Sequence, residues 1–235
     1  MPFDFTNLKT YHINYQNLCD HFKKFSIMDD AKLNEQYLTR WITTLQAHDH
    51  LLVSDLDTKE KILAYQQSQE EDRFFFVQYM TYGGISVLIQ FEINKIHKEI
   101  DFFRNTNSVI EIPIENFFNK KFGIHWNKPD AVFSKKFNPN PIYIVPFLTG
   151  KSCWLVIDGN HRITQAIEEK HETISSIILD GKFLSQKKIF PSCFDFLFYT
   201  FQNEFSNFDY LKKVKFFTDE MLYDNSFLSL HDFNI

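Results

Sequence analysis

Asp158, Gly159, Asn160, His161 and Arg162 are five consecutive residues whose side chains and backbone suit one another chemically. The Cys153–Ile157 run before them is apolar and predicts a buried strand. Ile163, Ala166 and Ile167 follow at helical spacing. A strand therefore ends in a carboxylate, turns through a glycine and feeds directly into a helix. The first amides of such a helix lack partners within it, and its dipole places partial positive charge there. Gly159 has no Cβ, so a ligand can approach the backbone closely. Arg162 can grip a phosphate through two parallel hydrogen bonds, and His161 can orient, donate to or protonate a phosphate oxygen. Asp158 can bind a magnesium ion or accept a proton from a hydroxyl. The pattern predicts an anion site with an acid–base group beside it, and phosphate is the anion it suits. The same string also serves as a helix cap followed by a solvated first turn, so five residues alone leave both readings open.

The flanking chain supplies the elements that must position this turn. Ile110, Ile112 and Ile114 alternate with Glu111, Pro113 and Glu115, the period of a half-buried strand, and Pro113 points to a sheet edge. The Asn138–Pro141 segment reads as a turn, Ile142–Phe147 as a strand and Thr149-Gly150-Lys151 as a hairpin turn. The helix after the turn should end near Lys170-His171, and Ile174–Leu179 forms a closing strand before Asp180-Gly181. Before this core, Tyr15, Leu18, Cys19 and Phe22 fall on one helical face, as do Tyr37, Leu38, Trp41 and Leu45. Asp57 or Thr58 can cap a further helix bearing Ile62 and Leu63. From Arg73 a longer helical element is expected, broken at Gly83-Gly84 and resuming through Ile89, Ile93, Ile96, Ile100 and Phe103. Phe194, Leu197, Phe198 and Phe201 share a face of a helical tail. The expected organisation is α+β: a helical region over 1–106, a β-β-β-α-β core over 107–182 and a helical extension over 183–235.

These elements, in this order around D-G-N-H-R, resemble the ParB/sulfiredoxin superfamily. The resemblance rests on the Ile110–Ile114, Pro141–Val145 and Cys153–Ile157 strands, the turn, the Ile163–Ile167 helix and the Ile174–Leu179 strand. It implies a small mixed sheet whose turn, through Gly159, Asn160, His161 and Arg162, holds the phosphates of a nucleotide (ATP, ADP or CTP) with Mg²⁺. Sulfiredoxins carry a reactive cysteine just before the His-Arg pair, where this chain has Asn160, so sulfinic-acid reduction is not expected. Partitioning ParB proteins carry a Glu-Arg-Arg type turn and a helix-turn-helix domain, neither of which is evident here. Free-serine kinases, with an Asp-Gly-x-His-Arg turn, are the nearest branch, although the same turn occurs in proteins associated with DNA modification. The kinase-like members use a glutamate near the first strand as base, which implies Glu115 at the strand end ahead of Glu111, with His125 weaker. The implied function is small-molecule phosphotransfer or nucleotide hydrolysis, with Asp158, His161 and Glu115 catalytic and Asp158 also a metal ligand. The alternative is a non-enzymatic or DNA-associated module working through protein or nucleic-acid partners.

Composition narrows the field. The chain has 235 residues, 44% of them hydrophobic, with 28 phenylalanines and only six glycines, so it can bury a large aromatic core and has few linker positions. A net charge of −5 disfavours a DNA-coating protein, whose affinity comes from neutralising phosphates. Cys19, Cys153 and Cys193 are widely spaced, which excludes a zinc-finger pattern and points away from a disulfide framework. No basic-then-apolar leader precedes Lys9, so a cytoplasmic location is expected. Phe74–Phe91 is uncharged over 18 residues, yet Gln78, the Gly pair and Gln90 favour buried helix or helix–strand over a membrane span. His48-Asp49-His50 is expected in a polar turn between helices. Lys120-Lys121 and Lys135-Lys136, interleaved with Phe118, Phe122, Trp126, Phe133 and Phe137, can offer a basic-aromatic surface to single-stranded nucleic acid. The phenylalanines of the tail suit a core or a homodimer interface.

Overall fold

A computed structural model describes residues 1–67, 73–105, 108–119, 122–129, 138–149, 152–186, 189–215 and 217–231. In chain order the elements are β1 (Phe3–Asp4), β2 (Lys9–Thr10), α1 (Tyr15–Lys23), α2 (Ala31–Asp55), α3 (Lys59–Gln67), β3 (Phe75–Tyr82) and β4 (Ile85–Glu92). Then come α4 (Ile93–His97), α5 (Ile100–Asn105), β5 (Val109–Pro113), a 3₁₀ turn (Ile114–Phe117), β6 (Ile124–His125), β7 (Ile142–Pro146) and β8 (Trp154–Asp158). The last are α6 (Asn160–Glu168), β9 (Thr173–Ile178), α7 (Gly181–Gln186), α8 (Cys193–Lys213), α9 (Asp219–Asp224) and α10 (Phe227–Leu230). The architecture is mixed α+β, in two compact units: residues 1–90 with 190–235, and residues 91–189.

The first unit joins both ends of the chain around an aromatic core. The expected faces of α1 and α2 are the buried ones, with Leu18, Cys19 and Phe22 on α1 and Tyr37, Leu38, Trp41 and Leu45 on α2. Asn14 caps α1 by accepting from the Asn17 amide at 3.0 Å. Phe194, Leu197, Phe198 and Phe201 of α8 are buried too, and Phe22 meets Phe201 and Phe205 with ring centroids 4.7 Å apart. Each buried ring contributes roughly 1.5–3 kcal/mol over exposure, so these tail phenylalanines are core residues. Two expectations are corrected here. The 73–92 segment is a β-hairpin rather than helix: Gly83 and Gly84 take φ of +57° and +89°, the positive pair that a tight two-residue turn between twisted strands requires. His48-Asp49-His50 lies within α2, not in a turn, and buried Asp49 accepts from the Tyr15 hydroxyl (2.5 Å) and the Met1 amino group (3.0 Å).

Asp195 of α8 is fully enclosed in this unit. Its carboxylate accepts from the Gln90 backbone amide at 3.0 Å and side-chain amide at 3.2 Å, and from the Ser192 hydroxyl. Burial outweighs these bonds and pushes its carboxyl up to about 7. An acid raised in the folded state holds its proton while the unfolded chain loses it, so stability falls as pH rises from about 4 towards that value. Asp195→Asn should flatten this slope. Urea unfolding between pH 4 and 7 that keeps the wild-type slope in the variant would remove Asp195 as its cause.

The second unit carries a curled five-stranded mixed sheet in the order β5-β9-β7-β8-β6. β5 pairs antiparallel with β9, β9 parallel with β7, β7 antiparallel with β8, and β8 parallel with β6. β5 is the edge that Pro113 called for, and the short β6, expected as loop, adds the other edge. Ile112, Ile142, Ile144, Val156 and Ile174 of the sheet meet Ile163 and Ala166 of α6 and Ile114 and Phe117 of the 3₁₀ turn in one core. α6 ends where Lys170 turns left-handed (φ +58°) and the His171 amide bonds back to the Ala166 carbonyl at 2.9 Å. α4 and α5 belong to this unit, Phe103 packing on Phe183 of α7 at 5.0 Å. Gly150-Lys151 of the expected hairpin turn and Lys120-Lys121, Phe133, Lys135-Lys136 and Phe137 of the basic-aromatic stretch lie outside the described residues. Among the described residues no helix is long and apolar enough to cross a membrane.

Candidate functional site

β8 delivers Asp158 to the start of α6 through a bulge. Ile144 pairs with Val156 but Tyr143 pairs with Asp158, so Ile157 is an extra residue in the ladder. A bulge re-aims the side chain that follows it. Here it sets Asp158 opposite Tyr143 and next to the helix entry. Gly159 then caps α6 with φ +102°, and a Cβ on it would stand 2.2 Å from Ile142 Cγ2. Only glycine fits, for backbone conformation and for space. Because the cap is a glycine, it offers no side-chain cap, and among the described residues no other side chain bonds to the first-turn amides of α6. The Ile163 amide is the first to bond within the helix, to the Gly159 carbonyl at 2.9 Å.

Around this entry the side chains form one connected network. Arg162 Nη2 donates to Asp158 Oδ2 at 2.6 Å, while Nη1 donates to the carbonyls of Asn140 (2.6 Å) and Pro141 (2.5 Å). The Asn138–Pro141 turn holds those carbonyls in place, the Asn140 amide bonding to Asn138 Oδ1 at 3.0 Å. Arg104 of α5 reaches the same turn, donating to Asn140 Oδ1 at 3.0 Å. His97 of α4 brings Nε2 to 3.1 Å from Asp158 Oδ2, with its ring 5.6 Å from that of Tyr143. Asn160 Oδ1 accepts from the Asn127 amide at 2.9 Å, and Trp126 Nε1 donates to the Phe117 carbonyl at 3.1 Å. The loop after β6 is thereby tied both to the 3₁₀ turn and to the helix entry.

Electrostatics follow from this geometry. Burial pushes the Asp158 carboxyl up, but the His97 hydrogen bond and the Arg162 charge outweigh it and hold it below its ordinary value. Burial, reinforced by Asp158, pushes the Tyr143 phenol up to about 12. Asp158 is thus a charged acceptor and Tyr143 a neutral neighbour.

The residues picked out by sequence fall into two groups. Asp158, Gly159, Asn160 and Arg162 are brought together, and exposed His161 stands on the first turn of α6 among them. Arg162 is mostly enclosed, its side chain 12% exposed, so it braces the entry from within. Glu115 is exposed on the 3₁₀ turn, not on β5, and no hydrogen bond or ion pair among the described residues joins it to Asp158. Glu111 accepts from Thr173 Oγ1 at 2.9 Å and Ser175 Oγ at 2.5 Å on the sheet edge. His97 and Arg104 escaped sequence reading altogether. They sit 61 and 58 residues before Asp158 and Arg162, inside a stretch that reads only as helix. Asp158 does not suit a resident magnesium ion: its Oδ2 already takes two donors, one a guanidinium. Nor do any three His, Cys, Asp or Glu side chains among the described residues group to hold a metal. No protein-family model, curated protein or solved structure matches this chain.

Proposed function

We propose that the second unit is a nucleotide-binding module with a ParB/sulfiredoxin-like core, which holds phosphates at the entry of α6 and passes a phosphoryl group to water or a small hydroxyl compound. One observation carries this reading. A glycine that tolerates no Cβ opens a nine-residue helix whose first amides have no side-chain cap among the described residues, beside a histidine and an arginine. Unpartnered amides at the positive end of a helix dipole favour an anion, and phosphate accepts from several of them at once. The order of strands, turn and helix along 109–178 supports the core assignment. In this account the amides of residues 160–162 and the His161 ring bind phosphate oxygens. Arg162, fixed by Asp158 and the two carbonyls, adds positive charge behind them. Magnesium reaches the site on the nucleotide's phosphates, as part of the substrate.

His161→Glu tests this directly. A glutamate in the first turn of a helix is favourable, so the fold should be unchanged or slightly firmer, by about 0.3–1 kcal/mol. The added charge should nevertheless abolish binding of ATP, ADP and CTP in calorimetric titration with Mg²⁺ present. Wild-type protein that binds none of the three, or a variant that binds like wild type, would defeat the proposal.

A further inference from the structure

We propose that His97 is the base that takes the proton from the attacking hydroxyl, an inference that rests on the phosphoryl-transfer reading above. Asp158 is ionised and can only accept a hydrogen bond, so the contact at 3.1 Å fixes the proton of His97 on Nε2. A neutral imidazole protonated there presents its lone pair at Nδ1. The His97 side chain is 53% exposed, and among the described residues nothing bonds to Nδ1. Asp158 cannot swing away with the ring, because Arg162 holds the same Oδ2 at 2.6 Å and is itself held by two carbonyls. The arrangement is base, orienting carboxylate, and an anchor for the carboxylate. Asp158 directly precedes Gly159, so the ring lies at the edge of the amides that would bind phosphate. His161 and Glu115 are also exposed, but among the described residues neither has a partner that would fix its orientation.

The step balances without an added oxidant or reductant. The oxygen of water, or of a small alcohol, gives a lone pair to the terminal phosphorus of a nucleoside triphosphate. The bond from that phosphorus to the bridging oxygen breaks, and its electron pair leaves with the nucleoside diphosphate. The hydroxyl proton passes to Nδ1 of His97 and is then returned to solvent.

The test is phosphate release from Mg-ATP by the full chain, with ATP affinity measured separately. His97→Gln keeps a donor for Asp158 but has no base, so release should fall about 100-fold or more while ATP affinity stays within about twofold. His97→Ala should recover rate on addition of imidazole, in a saturable way that a packing role would not produce. His171→Gln is the control, since His171 is an exposed histidine paired with Glu169 at 2.9 Å beyond the far end of α6. His97→Gln that binds ATP and releases phosphate at the wild-type rate would overturn the inference and leave the nucleotide reading intact. Wild-type protein that binds ATP but transfers phosphate to neither water nor glycerol would also overturn it. Failure of wild type to bind ATP, ADP or CTP would remove both.

Discussion

Gly159→Ala is expected to destabilise the second unit by about 2–5 kcal/mol and, on the proposed nucleotide reading, to abolish phosphate binding. Two separate costs add. At φ +102° an L side chain is strained, roughly 1–2 kcal/mol. The new Cβ would also lie 2.2 Å and 2.7 Å from the Cγ2 and Cβ atoms of Ile142, which is fully enclosed in the sheet core and cannot retreat. Displacing Ile142 shifts β7, and with it the Pro141 carbonyl that steadies Arg162. The two contributions separate in a double-mutant cycle with Ile142→Ala. That substitution costs about 2–5 kcal/mol alone but removes Cγ2, the atom nearest the new methyl, and leaves the 2.7 Å approach to the retained Cβ. Urea denaturation should show the double variant at least about 1 kcal/mol more stable than the sum of the singles. Strict additivity would mean that the Ile142 Cγ2 atom is not what excludes a side chain at position 159.

The second large effect belongs to the Asp158–Arg162 pair. Arg162→Met should cost about 2–4 kcal/mol, somewhat below the roughly 3–5 typical when one partner of a fully buried pair is removed. The discount reflects the residual exposure of the two side chains, 12% and 17%. The substitution leaves a carboxylate and two carbonyls short of donors, whereas Asp158→Asn leaves an amide that still accepts from the guanidinium. A pH dependence follows. The Asp158 carboxyl lies below its ordinary value in the folded state, so its contribution is complete above the unfolded value, about 4, and is lost as pH falls below it. The stability advantage of wild type over Asp158→Asn should therefore be constant near neutrality and shrink as the pH falls below about 4. An advantage unchanged across that acid range would show that the carboxylate charge is not what the pair contributes.

Local pattern carried much of the architecture. The faces of α1, α2 and α8, the existence of β5, the β8–turn–α6 passage and the end of α6 all follow from apolar spacing and punctuation by glycine, proline and asparagine, whereas Ile110, expected on the buried side of β5, is exposed. The 73–92 segment reads as helix in the sequence because Ile89, Ile93 and Ile96 happen to continue a helical spacing into α4. The Gly83-Gly84 pair between β-branched and aromatic runs was the signal that outranked it. Glycine at 159 was legible as a requirement, and so was a carboxylate beside a helix entry. Those are properties of neighbours in sequence.

What tertiary structure alone decided is where that carboxylate points and what meets it. The bulge at Ile157 turns Asp158 to face Tyr143, and strand alternation cannot reveal it, since one inserted residue reverses every facing beyond it. His97 arrives from α4, Arg104 from α5, and the carbonyls of Asn140 and Pro141 from the turn before β7, all separated from Asp158 by long stretches of chain. No periodicity links such residues; they meet because the sheet order places β7 beside β8 and the core under α6 fixes the helix entry against both. The sequence by itself therefore determined a strand-to-helix turn with a carboxylate before it and a glycine at its cap. The fold determined that its aspartate is held by an enclosed arginine and carries a half-exposed histidine.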